Sequence, residues 1–129
     1  MEQKNYRYET LQVHAGLTPD EPTGARGVAI YPTAAYRFRS CDHAARLFEL
    51  SEAGNIYTRL QNPTTSAFEQ RIAALYGGVG ALAVSSGMSA ILLTVLSLAS
   101  AGDNIVTSPH LYGGTYNQFR ITLRNLGID

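Results

Sequence analysis

From residue 40 onward the apolar positions fall into short periodic blocks, and these blocks predict most of the regular structure. Ala44, Leu47 and Phe48 share one face of a helix over 40–50. Ser40 is placed to cap it, Asp42 sits in its first turn, and Gly54 and Asn55 break the pattern afterwards. Phe68, Ile72 and Leu75 recur at helical spacing behind Asn62-Pro63, a cap followed by a proline at the first helical position. Gly77 and Gly78 end that helix. Residues 81–85 form a brief apolar run suited to a buried strand. A helix over 88–100 is apolar most of the way round, so it is expected to be covered on several sides. A second strand is predicted over 104–108. Tyr116, Phe119, Leu123 and Leu126 mark one face of a last helix, capped by Gly127.

Before residue 36 the pattern has no steady period. Pro19, Pro22, Gly24 and Gly27 punctuate it, which predicts an extended arm. Its scattered tyrosines suit packing on a neighbour, since tyrosine joins contact area to a polar tip. From residue 81 the order is strand, helix, strand, helix, the opening of an α/β domain with a parallel sheet. Two parallel strands do not make a stable core. A third is expected from 127–129, so the chain reads as the amino-terminal piece of a longer polypeptide.

Composition narrows the function. Ten basic and ten acidic side chains cancel in 129 residues, so the basic field that a nucleic-acid binder needs is missing. With 45% apolar residues the chain is too hydrophobic for a disordered segment. A single cysteine, Cys41, makes no disulfide framework, and His14, His43 and His110 lie too far apart to suggest a metal site. The first fifteen residues contain no apolar signal segment. The apolar stretch 88–101 is shorter than the ~20 residues of a membrane span, so a cytoplasmic protein without membrane or nucleic-acid partners is expected. Nine of the ten basic residues are arginine; Lys4 is the only lysine.

Three segments carry candidate chemistry. Ser85-Ser86-Gly87-Met88 lies between a predicted strand and an apolar helix, where outward amides and the helix dipole suit a phosphate or carboxylate. An ordinary strand-to-helix turn has the same appearance. Tyr57 and Arg59, two apart in 55–64, would face one way on an extended backbone and together hold an anion; a solvated loop is the alternative. Tyr112, released by Gly113 and Gly114 after the second strand, could lie on a planar ligand or simply cover the sheet end. His110 has no visible partner and reads as structural. Gly78-Val79-Gly80-Ala81-Leu82-Ala83 matches a dinucleotide fingerprint, but it follows a helix and opens a strand, the reverse of what that motif requires.

Asn55-Ile56-Tyr57-Thr58-Arg59-Leu60-Gln61-Asn62-Pro63-Thr64, Ser85-Ser86-Gly87-Met88 and Leu111-Tyr112-Gly113-Gly114-Thr115-Tyr116, in this order and with Thr23-Gly24-Ala25-Arg26, resemble the pyridoxal-phosphate enzymes of cysteine and methionine metabolism. The likeness covers nearly the whole chain and is greatest to the O-acetylhomoserine sulfhydrylase branch. It implies an aspartate-aminotransferase-like (type I) α/β fold, mostly parallel sheet with helices on both faces. Residues 1–60 would be an arm and inter-subunit loop, and 61–129 the first part of the large cofactor-binding domain. It implies that Ser86, Gly87 and Met88 seat the pyridoxal 5'-phosphate, with Gly87 and Met88 giving amides to the phosphate, and that Tyr112 stacks on the ring. Tyr57 and Arg59 would reach the phosphate of a neighbouring subunit in a dimer of dimers. Tyr112 and Tyr57 become candidates for proton handling. The implied reaction is a γ-replacement that makes homocysteine or methionine from O-acetylhomoserine and sulfide or a thiol. Cystathionine γ-synthase, cystathionine γ-lyase and O-succinylhomoserine sulfhydrylase are alternatives within the family, and a non-catalytic assembly fragment is one outside it. The family's Schiff-base lysine has no counterpart here, so the 129 residues alone are expected to be inactive. Two positions depart from the pattern: Pro32 stands where relatives usually carry glutamine, and Gly114 where methionine γ-lyases carry cysteine.

Overall fold

The computed structural model describes residues 6–129, so Lys4 lies outside the described residues. The chain divides into two compact units, one through Ala83 and one from Val84 onward.

The first unit begins with a helix that the pattern missed. α1 spans Tyr8–His14, inside the expected arm, and packs against α3 (Pro63–Tyr76). Its signal is weak because it is short and its face is small. The contact is nevertheless close. Gly16 follows α1 at φ 67°, and a side chain there would run into the α3 backbone at Ala67 and Arg71. Arg71 on α3 donates from Nε to the Ala15 carbonyl at 2.8 Å, satisfying one of the free carbonyls at the end of α1.

The two predicted helices of this unit form with their expected caps. α2 spans Cys41–Phe48, and the Ser40 hydroxyl accepts from the His43 amide at 3.1 Å. Leu47 is its buried residue. α3 starts at Pro63 behind Asn62, whose Oδ1 accepts from the Thr64 amide at 2.9 Å. It ends at Gly77 in the left-handed conformation, φ 65°. The rest of the arm runs without regular structure, joined to residues 57–58 by an isolated antiparallel bridge between Ala35 and Tyr57.

The second unit holds α4 (Gly87–Leu98), capped by the Ser86 hydroxyl on the Ser89 amide at 3.1 Å. α5 (Gly113–Asn117) continues directly into a π-helical segment, Gln118–Leu123. The expected single α-helix over this stretch is therefore wider in its second half, a local geometry that often accompanies functional sites. Leu123 and Ile128 are the buried apolar residues of this unit.

The expected parallel sheet is not formed among the described residues. Residues 81–85 and 104–108 carry no regular structure and make no strand ladder. The physical reason is that a strand exists only against a neighbour. A place where parallel pairing begins is informative. The Asp129 amide donates to the Asp103 carbonyl at 3.0 Å, and the Ile105 amide donates to the Asp129 carbonyl at 2.5 Å. One residue bonded to two residues on either side of a third is the parallel pattern. Likewise α4 is not covered: it has no buried residue, and Leu93, Leu96 and Leu98 are exposed.

Candidate cofactor site

In the second unit the start of α4 offers two free donors. The Ser86 hydroxyl occupies the Ser89 amide, and the Ser86 carbonyl takes the Ala90 amide. The amides of Gly87 and Met88, the first two helical positions, have no acceptor among the described residues. Gly87 is exposed, and nothing lies within 4 Å of the point where its side chain would begin. Outward N–H groups at the positive end of a 12-residue helix form an anion seat. The Ser86 hydroxyl also lies 2.9 Å from that of Ser89.

Tyr112 stands next to this seat. It precedes α5, and its ring is 77% exposed. Gly114 lets the ring and the Met88 side chain come together: a Cβ at Gly114 would lie 2.7 Å from Tyr112 Cε1 and 3.2 Å from Met88 Sδ. Two further contacts hold Met88. Thr115 Oγ1 approaches its sulfur at 3.8 Å, and Gln118 Nε2 donates to its carbonyl at 3.2 Å. Sequence reasoning missed Gln118, which is only 8% exposed. It lies off the apolar face formed by Tyr116, Phe119, Leu123 and Leu126, so no periodic signal pointed to it. Its Oε1 is buried and has no partner among the described residues.

In the first unit Tyr57 and Arg59 are brought together, though not by an extended backbone. The amides of Leu60 and Gln61 both donate to the Tyr57 carbonyl, at 2.9 and 3.0 Å, which folds residues 57–61 into a turn. Arg59 then swings back over the Tyr57 ring, with its guanidinium carbon 5.4 Å from the centroid. The two side chains line a shallow hollow with Tyr31 and Pro32. Among the described residues the His110 side chain has no hydrogen-bond partner; its amide donates to Ser108 Oγ at 3.2 Å. Among the described residues no three His, Cys, Asp or Glu side chains gather as a metal site, and no helix is long and apolar enough to cross a membrane.

The donor set at α4 therefore fits a phosphate ester carrying a flat ring: two free amides, a helix dipole and an exposed aromatic face beside them. Known proteins agree with this chemistry. Residues 9–129 match the family described as Cys/Met metabolism PLP-dependent enzyme. The chain belongs to this family of pyridoxal-phosphate enzymes. It is 57% identical over 95% of its length to O-acetyl-L-homoserine sulfhydrylase 1 of Thermus thermophilus, and covers 29% of that protein. It is likewise 57% identical over 94% of its length to the homocysteine synthase of Schizosaccharomyces pombe, covering 28% of it. A Campylobacter jejuni structure assigned as an O-acetylhomoserine (thiol)-lyase, holding N'-pyridoxyl-lysine-5'-monophosphate, superposes with a TM-score of 0.90 at 42% identity, over 97% of this chain and 31% of that one. The cystathionine gamma-lyase of Lactobacillus plantarum superposes at 0.81 with 35% identity, over 95% of this chain and 30% of its own. The chain thus spans less than a third of the length of the relatives it matches.

Proposed function

We propose that these residues are the amino-terminal part of a cytoplasmic pyridoxal-phosphate enzyme that converts O-acetyl-L-homoserine and sulfide, or a thiol, to homocysteine or its thioether. The observation that carries this reading is the pair of free amides at Gly87 and Met88 beside the exposed Tyr112 ring, in a chain 57% identical to a sulfhydrylase. In the overall reaction the Cγ–O bond breaks, acetate leaves with the bonding pair, and the sulfur nucleophile forms the Cγ–S bond and loses a proton. Pyridoxal phosphate, when bound, supplies the electron sink that makes the substrate's Cα and Cβ protons removable.

The residues of this chain bind and orient. The amides of Gly87 and Met88 take the phosphate, and the Ser86 cap keeps the first turn of α4 in place. Tyr112 stacks on the ring and is placed to carry a proton at its phenol oxygen. Tyr57 and Arg59 bind the phosphate held by a neighbouring subunit, so each site is shared within a dimer, two of which pair. Residues 1–60 act as the arm and inter-subunit loop and 61–129 as the start of the large domain. In the whole enzyme, residues 81–85 and 104–108 become strands of its parallel sheet. The resident lysine comes from outside these 129 residues, because Lys4 belongs to the arm and to no cofactor motif.

Borohydride reduction of the 129-residue chain with pyridoxal phosphate, followed by peptide mapping, tests the reading. No specific lysine adduct and no turnover are expected; a specific Lys4 adduct with turnover would overturn it. In the full-length protein Tyr57→Phe is expected to weaken cofactor retention or turnover, and unchanged kinetics would remove Tyr57 from the site. Product analysis with acetyl- and succinyl-homoserine, each with sulfide and with cysteine, separates the sulfhydrylase from the other branches of the family.

A further inference from the structure

Asn62 does more than cap α3. It is 4% exposed, and both protons and the oxygen of its amide group are engaged. Oδ1 accepts from the Thr64 amide at 2.9 Å. The two protons on Nδ2 go elsewhere, one to the Tyr31 carbonyl at 3.0 Å and one to Thr58 Oγ1 at 3.2 Å. The orientation is fixed by chemistry, since a flipped amide would set N–H against N–H and oxygen against oxygen. Thr58 in turn uses its hydroxyl proton on the Thr33 carbonyl, and its amide donates to Ala34 O at 2.9 Å. These bonds continue from the Ala35–Tyr57 bridge on one side of it, and Arg59 closes over the Tyr57 ring from the same turn.

We propose that Asn62 is a positioning residue for the Tyr57–Arg59 pair, holding its turn against the arm through Thr58 and Tyr31. This rests on the phosphate role proposed above for that pair. The choice of residue supports it. A helix cap alone would be served as well by aspartate or serine. Only an amide supplies the cap acceptor and two donors from one buried side chain.

Asn62→Asp separates the two roles. The carboxylate keeps the acceptor for the Thr64 amide and suits the helix N-terminus, but has no proton for Tyr31 O or Thr58 Oγ1. The variant is prepared in the full-length protein loaded with pyridoxal phosphate. Helix content, amide exchange at Thr58 and the cofactor dissociation constant are then measured. The helical signal should hold, while Thr58 exchanges about tenfold faster and the cofactor binds about tenfold more weakly, the scale of one to two lost hydrogen bonds. Thr58→Val, which leaves the cap untouched, should shift both readouts in the same direction and decides the matter if Asn62→Asp does not fold. A residue that only caps predicts no change in either readout, and that result would overturn the proposal. Faster exchange at Thr58 with unchanged cofactor affinity would leave the hold on the turn standing and remove the phosphate role of Tyr57 and Arg59.

Discussion

Glu52 shows how a single carboxylate organises one end of the first unit. Its Oε1 meets Arg39 Nη2 at 2.6 Å and His43 Nε2 at 3.5 Å, and its Oε2 meets Arg46 Nε at 2.8 Å. The Arg39 amide donates to His43 Nδ1 at 3.1 Å, so the imidazole proton belongs on Nε2, facing Glu52. The hydrogen bond from Arg46 holds the Glu52 carboxyl below its ordinary range, with smaller help from the charges of Arg46 and Arg39 and from His43, and against a partial loss of solvation. A folded-state value lower than the unfolded one stabilises the protein above the unfolded value, and this contribution is lost as pH falls through the folded one. Glu52→Gln is therefore expected to lower the melting temperature slightly at pH 7. The difference should shrink as pH falls below the ordinary glutamate range and vanish once wild-type Glu52 is itself protonated. Because the cluster faces solvent, added salt should shrink the difference at pH 7 as well. A difference independent of both pH and salt would show that the glutamate acts by packing alone.

At the scale of elements, the caps were legible in the sequence and the joins between elements were not. Ser40, Asn62-Pro63 and Gly77 stand where the helices begin and end because each choice is local, made by a side chain and the backbone a few residues away. α1 escaped notice because its stability comes from α3, through Gly16 and Arg71, and no periodic run announces that. The π-helical segment after α5 was hidden for a related reason: nothing in its residue types shifts the helical period. The structure ties this segment to the anion seat through one buried bond, Gln118 Nε2 to Met88 O. Gln118→Glu would set an anion against that carbonyl in a site that is closed to water. At pH 8 a loss of about 2–3 kcal/mol in urea unfolding of the protein is expected, the scale of a buried polar group left without a partner. The loss should shrink as pH falls and the new carboxyl regains a proton to donate. An equal loss at all pH values would mean that side-chain shape, and not the donor, is what α4 requires.

For the whole molecule, the candidate residues were readable one by one, whereas the sheet was readable only as an intention. The chain is 45% apolar, yet its buried hydrophobic residues among those described are Leu47, Leu123 and Ile128. Val106 and Leu82, both inside predicted strands, remain exposed. The apolar run that marks a buried strand describes an environment, which the described residues do not provide. The bonds from Asp129 to Asp103 and from Ile105 to Asp129 follow the parallel pattern. Amide exchange can follow it. In the 129-residue chain, Leu82, Val84 and Val106 should exchange near the rate of an open chain, and Ile105 and Asp129 more slowly. Ala83 is set apart, because its amide is held by Glu69 Oε1 at 2.8 Å whether or not a sheet forms. In a full-length protein all of these amides should become protected, with the largest gain at Val106, which is 95% exposed here. If Val106 stays unprotected in the full-length protein, 104–108 is a loop and the parallel-sheet reading fails. If it is already protected in the short chain, self-association through the open edge is the cause to test, and dilution should then remove the protection.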